Sequence, residues 1–225
     1  MAILHVLRVF VGDDGNGGNP LGVFLDGAAV PPERRGVTAA RLGFSETVFV
    51  DDLRLGDLRI FTPAVELEFA GHPLVGTAWL LAAEGQPLSM LRPPAGEVPA
   101  RAEGEWAFIA GRPEWAPPFE HVQFEQPAEV DALRGPPDGR DTAGAWAWED
   151  ERAGFVRARV FASRYGVEED EATGAHAVLL CAALGREIVI RQGRGSKILA
   201  RPRADGTVEI GGRVALDERR EFDAS

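Results

Sequence analysis

The sequence predicts an α+β fold of two similar domains, each a barrel-like mixed sheet wrapped around a central apolar helix. Three observations carry this. Two segments, His72–Ala83 and Ala175–Leu184, are apolar on nearly every side of a helix, and such helices are buried on every side. Many short strand-like segments surround them, punctuated by Gly, Pro, Asp and Asn. The two helix starts, Gly71 and Gly174, lie in different halves of the 225-residue chain, one helix to each domain of about 100 residues.

The strands follow in order: Leu4–Phe10, Leu21–Leu25, Thr47–Val50, Leu58–Phe61, Trp106–Ala110, Gly154–Phe161, Glu187–Arg191, Lys197–Ala200 and Val208–Ile210. Each is rich in the branched and aromatic residues that suit a pleated surface. A weaker third helix is expected over Pro32–Leu42. The stretch GRPEWAPPFE (Gly111–Glu120) reads as the connection between domains 1–112 and 113–225, and Pro127–Gly144 reads as loop. The acid run Glu168–Glu171 reads as a solvated turn. Both helices are entered through acid-rich segments, ELEFAGH and EEDEATGAH.

Composition narrows the function. A net charge of −11 and a pI near 4.9 argue against nucleic acid and anionic membrane, which need basic patches. No apolar run approaches the length of a membrane span. MAILHVLRVF reads as a strand rather than a signal peptide, so a cytoplasmic location is expected. One cysteine, Cys181, excludes an intramolecular disulfide and any two-thiol racemase mechanism. It reads as a small core residue. Four scattered histidines lack metal-ligand spacing, so no metal is expected. The GDDGNGG loop lacks the sequence of a phosphate loop, and no G-x-S-x-G is present.

The free N–H groups and partial positive charge of a helix start favour an anion. Two buried helices that both begin at glycine would form one anion site if their starts met. Glu46, Glu66, Glu68, Asp170 and Glu171 are near these starts in sequence. Glu46 is the odd one: it stands among Leu42, Phe44 and Val48–Val50, where a carboxylate is costly unless paired, neutralised or turned to water. Taken alone, it fits a solvated residue at a strand edge, and Asp170 fits a charge that favours the helix dipole.

Five ordered stretches resemble a known family: GGNPLGVFLDG (Gly17–Gly27), GFSETVFV (Gly43–Val50), LRIFTPAVELEFAGHPLVGTA (Leu58–Ala78), ARVFASRYGVEEDEATGAHA (Ala158–Ala177), and IRQGRGSKI with IGGRV (Ile190–Ile198, Ile210–Val214). Together they resemble the phenazine-biosynthesis PhzF-like family, which shares the diaminopimelate epimerase-like fold. The resemblance implies a cofactor-independent isomerase that moves a proton on a small carboxylic acid. It implies Glu46 as the general acid/base, with Asp170 and His72 as catalytic partners. It implies Asn19, Ser45, Gly71, Gly174 and Ala175 as substrate-binding positions, and a homodimer. His176 acquires no role. Two positions depart from the family's D-P-x-T-G-S run: Glu171 replaces the proline and Ala175 the serine. Glu171 would repel a carboxylate ligand or raise the pKa of Asp170. Two further readings stand beside the isomerase: a small-acid-binding or protein-interaction member of the same fold, and an epimerase with Glu46 and Asp170 flanking one stereocentre.

Overall fold

The computed structural model describes residues 1–223. The first half runs β1 (Ala2–Val11), β2 (Gly17–Phe24), α1 (Pro32–Leu42), β3 (Glu46–Asp52), β4 (Asp57–Phe61), β5 (Glu66–Leu67) and α2 (Gly71–Ala83), then β6 (Met90–Leu91), β7 (Val98–Glu103) and β8 (Trp106–Gly111). The second half runs β9 (Glu120–Gln123), α3 (Pro127–Asp131), β10 (Ala143–Asp150), β11 (Phe155–Ala162), β12 (Val167–Asp170) and α4 (Gly174–Leu184), then β13 (Ile188–Gln192), β14 (Ser196–Pro202) and β15 (Val208–Phe222).

The order repeats. In each half a strand, a helix and a parallel strand (β2–α1–β3, β9–α3–β10) lead to an antiparallel hairpin, a short strand and the apolar helix. After the helix the chain returns parallel to the hairpin's second strand. In the second half β13 runs along β11; in the first, a single bridge joins Asp57 to Arg92. One sheet is continuous across both halves because β15 joins them. Its first residues pair with β14 and β8, and its remainder pairs with β1 from Val11↔Arg213 to Ala2↔Phe222.

Local chemistry explains the elements. Pro31 and Pro32 open α1, and Gly43 closes it in the left-handed conformation, the usual asymmetry of helix ends. In α2, Leu74, Val75, Leu80 and Leu81 are all buried; in α4, Ala177, Val178, Leu180 and Cys181 are. Both helices share a core with Leu7, Phe10, Val48 and Ile60 of the first half and Val156, Ile190 and Ile198 of the second.

Three segments differ from the sequence reading. Pro127–Gly144, read as loop, holds α3 and the start of β10. A capping box between Gln126 and Glu129, with Pro127 at the first turn, starts the helix inside a stretch whose composition reads as coil. Val130 anchors it against Ala145, Ala147 and Phe161. The acid run forms β12, where pairing with β11 buries Asp170 and leaves Glu168 and Glu169 exposed. The expected strand Val208–Ile210 continues to Phe222, because pairing with β1 holds a charged stretch that has no alternation of its own.

His176 of α4 is wholly buried. Its ring stands 5.0 Å from that of His121 and edge-on to Phe119 at 6.2 Å. A Cβ on Gly144 would fall 2.0 Å from its Nε2. Gly144→Ala is therefore expected to cost about 1–3 kcal/mol of stability, read as a fall in melting temperature. An unchanged melt would show that the ring has room to move.

Candidate active site

The two helix starts touch. A Cβ on Gly71 would lie 2.7 Å from Gly174 Cα, and one on Gly174 would lie 2.7 Å from Gly71 Cα and from the His72 nitrogen. These are backbone atoms, so a glycine on each side is what permits the approach. The residues before the helices, Ala70 and Thr173, provide no side-chain cap. Two sets of first-turn N–H groups, each at the positive end of a helix, thus converge at one point.

Glu46 opens β3 beside these starts. Its side chain is only 13% exposed, so it is not the solvated residue that an isolated strand-edge reading allows. Its Oε2 has no hydrogen-bond partner among the described residues and lies 3.4 Å from His72 Nδ1. Burial, then the charge of Asp170, raises the Glu46 pKa well above its ordinary value. His72 is buried, and burial lowers its pKa to about 3, so at neutral pH it is an uncharged imidazole. Its Nε2 is also unpartnered among the described residues.

Asp170 ends β12 and is held on both oxygens. Asn19 Nδ2 donates to Oδ1 at 2.6 Å and Thr173 Oγ1 donates to Oδ2 at 2.6 Å. Ser45 Oγ donates to Asn19 Oδ1 at 2.6 Å, so one buried amide links the Ser45–Glu46 segment to Asp170. Burial pushes the Asp170 pKa up to about 6, against the pull of the Thr173 and Asn19 hydrogen bonds, and the Glu171 charge adds to the rise.

Glu46, Asp170, Thr173 and Ala175 line one narrow pocket of about 40 Å³, walled by Phe119 and Tyr165. Space of that size holds a few waters at most. A wider cavity of about 380 Å³, lined by Asn19, Phe44, Ser45, Gly166 and Glu168, shares Asp170 with it and is in the size range of small-ligand sites. A cavity of about 790 Å³ lies beside Gly18 and Pro20. Its Arg157 and Arg159 are already bonded to Asp131 and Glu169.

Of the residues singled out in the sequence, Glu46, His72, Asp170, Asn19, Ser45, Gly71, Gly174 and Ala175 are brought together here. Glu66 is instead paired with Arg59 at the surface, and Glu68 is exposed. Glu171 turns away from the helix starts: its Oε1 accepts from the Arg194 N–H at 2.8 Å and the Ser196 hydroxyl at 2.9 Å. Its charge still reaches Asp170, as expected, but its carboxylate is occupied elsewhere. Sequence reasoning missed Thr173, Gln192, Phe119 and Tyr165. Thr173 had a local signal, as a capping-type residue just before a helix. Gln192 stood in the quoted IRQGRGSKI stretch. Tyr165 likewise stood in the quoted ARVFASRYGVEEDEATGAHA stretch, and Phe119 carried no signal.

The family model described as phenazine biosynthesis-like protein matches residues 8–133. A trans-2,3-dihydro-3-hydroxyanthranilate isomerase of Pseudomonas aeruginosa is 32% identical over 223 residues, spanning 81% of this chain and 80% of that one. A structure from Pseudomonas aeruginosa, described as a predicted epimerase, aligns at a TM-score of 0.78 with 25% identity over 99% of both chains. A hydroxyproline epimerase of Agrobacterium vitis, with bound trans-4-hydroxy-L-proline, aligns at a TM-score of 0.66 over 97% of this chain and 90% of that one, a likeness of fold alone at 13% identity. With a family model over more than half its length and a relative aligned along most of it, this chain belongs to the phenazine biosynthesis-like (PhzF-like) family of isomerases.

Proposed function

We propose that the protein moves a proton between two positions of a small carboxylic acid, an amino or hydroxy acid, by general acid/base catalysis without a cofactor. The observation that carries this is Glu46: a carboxyl group withdrawn from water, unpartnered on Oε2 among the described residues, beside a neutral His72 and in one pocket with Asp170. We read residues 1–112 and 113–225 as two repeated units with the site where their apolar helices begin.

In this mechanism the substrate carboxylate lies against the N–H groups at Gly71, Gly174 and Ala175, where developing negative charge is also stabilised. The deprotonated fraction of Glu46 takes a proton from the activated carbon, and the electron pair moves into the adjoining double bond. Glu46, now protonated, returns the proton at another carbon. The double bond has shifted and no atom is lost. A raised pKa suits both steps, because it makes the carboxylate a stronger base and its conjugate acid a competent donor near neutral pH. Asp170 holds charge across the pocket, and His72 packs against Glu46 as an uncharged ring.

Ala175 favours a second reading. It lines the pocket without the hydroxyl of the family's serine, so a binding protein of the same fold is the alternative. Heavy water separates the two. Incubation with trans-2,3-dihydro-3-hydroxyanthranilate, and separately with small cyclic amino acids, is expected to give deuterium uptake into one of them by mass spectrometry. Saturable binding of these acids without uptake would sink the isomerase and leave the binder.

A further inference from the structure

Gln192, the last residue of β13, is wholly buried. Its Oε1 accepts the Thr173 backbone N–H at 3.1 Å, which fixes the oxygen end of the amide. Its Nε2 therefore faces two acceptors, the Asp170 carbonyl at 2.8 Å and Thr173 Oγ1 at 2.9 Å, and carries two hydrogens, one for each. A hydroxyl has a single hydrogen. Because Thr173 Oγ1 receives from Gln192, its own hydrogen is directed to Asp170 Oδ2, 2.6 Å away.

The other oxygen of Asp170 is set in the same way. Asn19 Nδ2 also donates to the Ala172 carbonyl at 2.9 Å, which fixes that amide, so the contact with Oδ1 is a donation too. Both oxygens of Asp170 are thus acceptors, the arrangement of an ionised carboxylate. Among the described residues no hydrogen bond reaches Glu46 Oε2, which stands 3.4 Å from His72 Nδ1. Two nearby acids that repel one another's charge share a proton, and these directed bonds decide which one carries it.

We propose that Gln192 is a positioning residue that aims the Thr173 hydroxyl at Asp170, keeps Asp170 the charged member of the pair and leaves the mobile proton with Glu46. This rests on the acid/base reading of the site. It deepens that reading by saying how two buried carboxyl groups are given different tasks. The titratable groups around Asp170 include Glu46 on β3, with His72 of α2 beside it, Glu171 on the same segment, and Glu168, Glu169 and Tyr165, which line the same pockets.

The test is a ¹³C-carboxyl NMR titration of Asp170, assigned by the signal lost in Asp170→Asn. A lost donor to the charged form raises the midpoint. Gln192→Met and Thr173→Val are each expected to lower the Asp170 ionisation constant by about tenfold, and the double variant to shift no further. Thr173→Ser, which keeps the hydroxyl, is expected to titrate as wild type. A folded Gln192→Met protein with an unchanged midpoint overturns the proposal. If that variant does not fold, Thr173→Val decides: a raised midpoint supports the directed hydroxyl, and an unchanged one overturns it. The titration needs no turnover, so its outcome is independent of whether deuterium uptake is found.

Discussion

Glu46→Gln is expected to lower deuterium uptake into the substrate by about 10³-fold, within the range of a lost general acid/base, with the fold intact. The amide keeps the shape and length of the carboxylic acid but cannot accept a proton and return it. Its effect on stability has a definite sign. The folded-state pKa of Glu46 is raised above the ordinary value, so the acid is well housed when protonated. Stability is therefore present at low pH and lost as pH rises through the folded value. The Gln variant is neutral throughout and escapes that loss. It is expected to match wild type near pH 4.5 and to melt higher near pH 8. Uptake retained in this variant would remove Glu46 from the chemistry. A fall in melting temperature at pH 8 would show that the ionised acid is favourably paired.

The second large effect is expected at Gly174. Substitution to Ala puts a methyl group 2.7 Å from Gly71 Cα and the His72 nitrogen. Neither can swing aside as a side chain could, so the helix starts must part. Such overpacking costs about 1–3 kcal/mol or more. Parting them also moves the Asp170–Thr173 segment away from Glu46, so uptake should be lost together with stability. Gly36→Ala is the control. It lies within α1, and a Cβ there meets nothing within 4 Å. It is expected to be neutral or to stabilise by about 0.5–1 kcal/mol, the usual gain of Ala over Gly inside a helix. A Gly174→Ala protein that melts and exchanges like Gly36→Ala would mean that the contact between helix starts does not matter.

Much of this architecture was legible from the chain because its main signal is local. A ten-residue run such as AHAVLLCAAL has no polar face to show to water, so it had to be wrapped. Glycine at both helix starts marked the place of close approach. The SET triplet identified Glu46 only through motif resemblance, since one carboxylate in an apolar stretch is equally consistent with a solvated edge. What stayed hidden was set by distant partners. Asp170 looked like part of a solvated acid run until β11 paired beside it. Gln192 acts through hydrogen bonds to residues 19 and 22 positions away, and nothing in its immediate neighbourhood announces them. The last strand was misjudged in length because its LDERREF end has the composition of a surface tail, while its partner lies at the opposite end of the sequence.

That last pairing bears on how the molecule is made. Ala2 sits opposite Phe222 and Val11 opposite Arg213, so one edge of the opening strand stays bare until residue 222 has emerged from the ribosome. From the emergence of β1 until β15 has followed it, an apolar ribbon offers unmet amide groups to any neighbouring nascent chain.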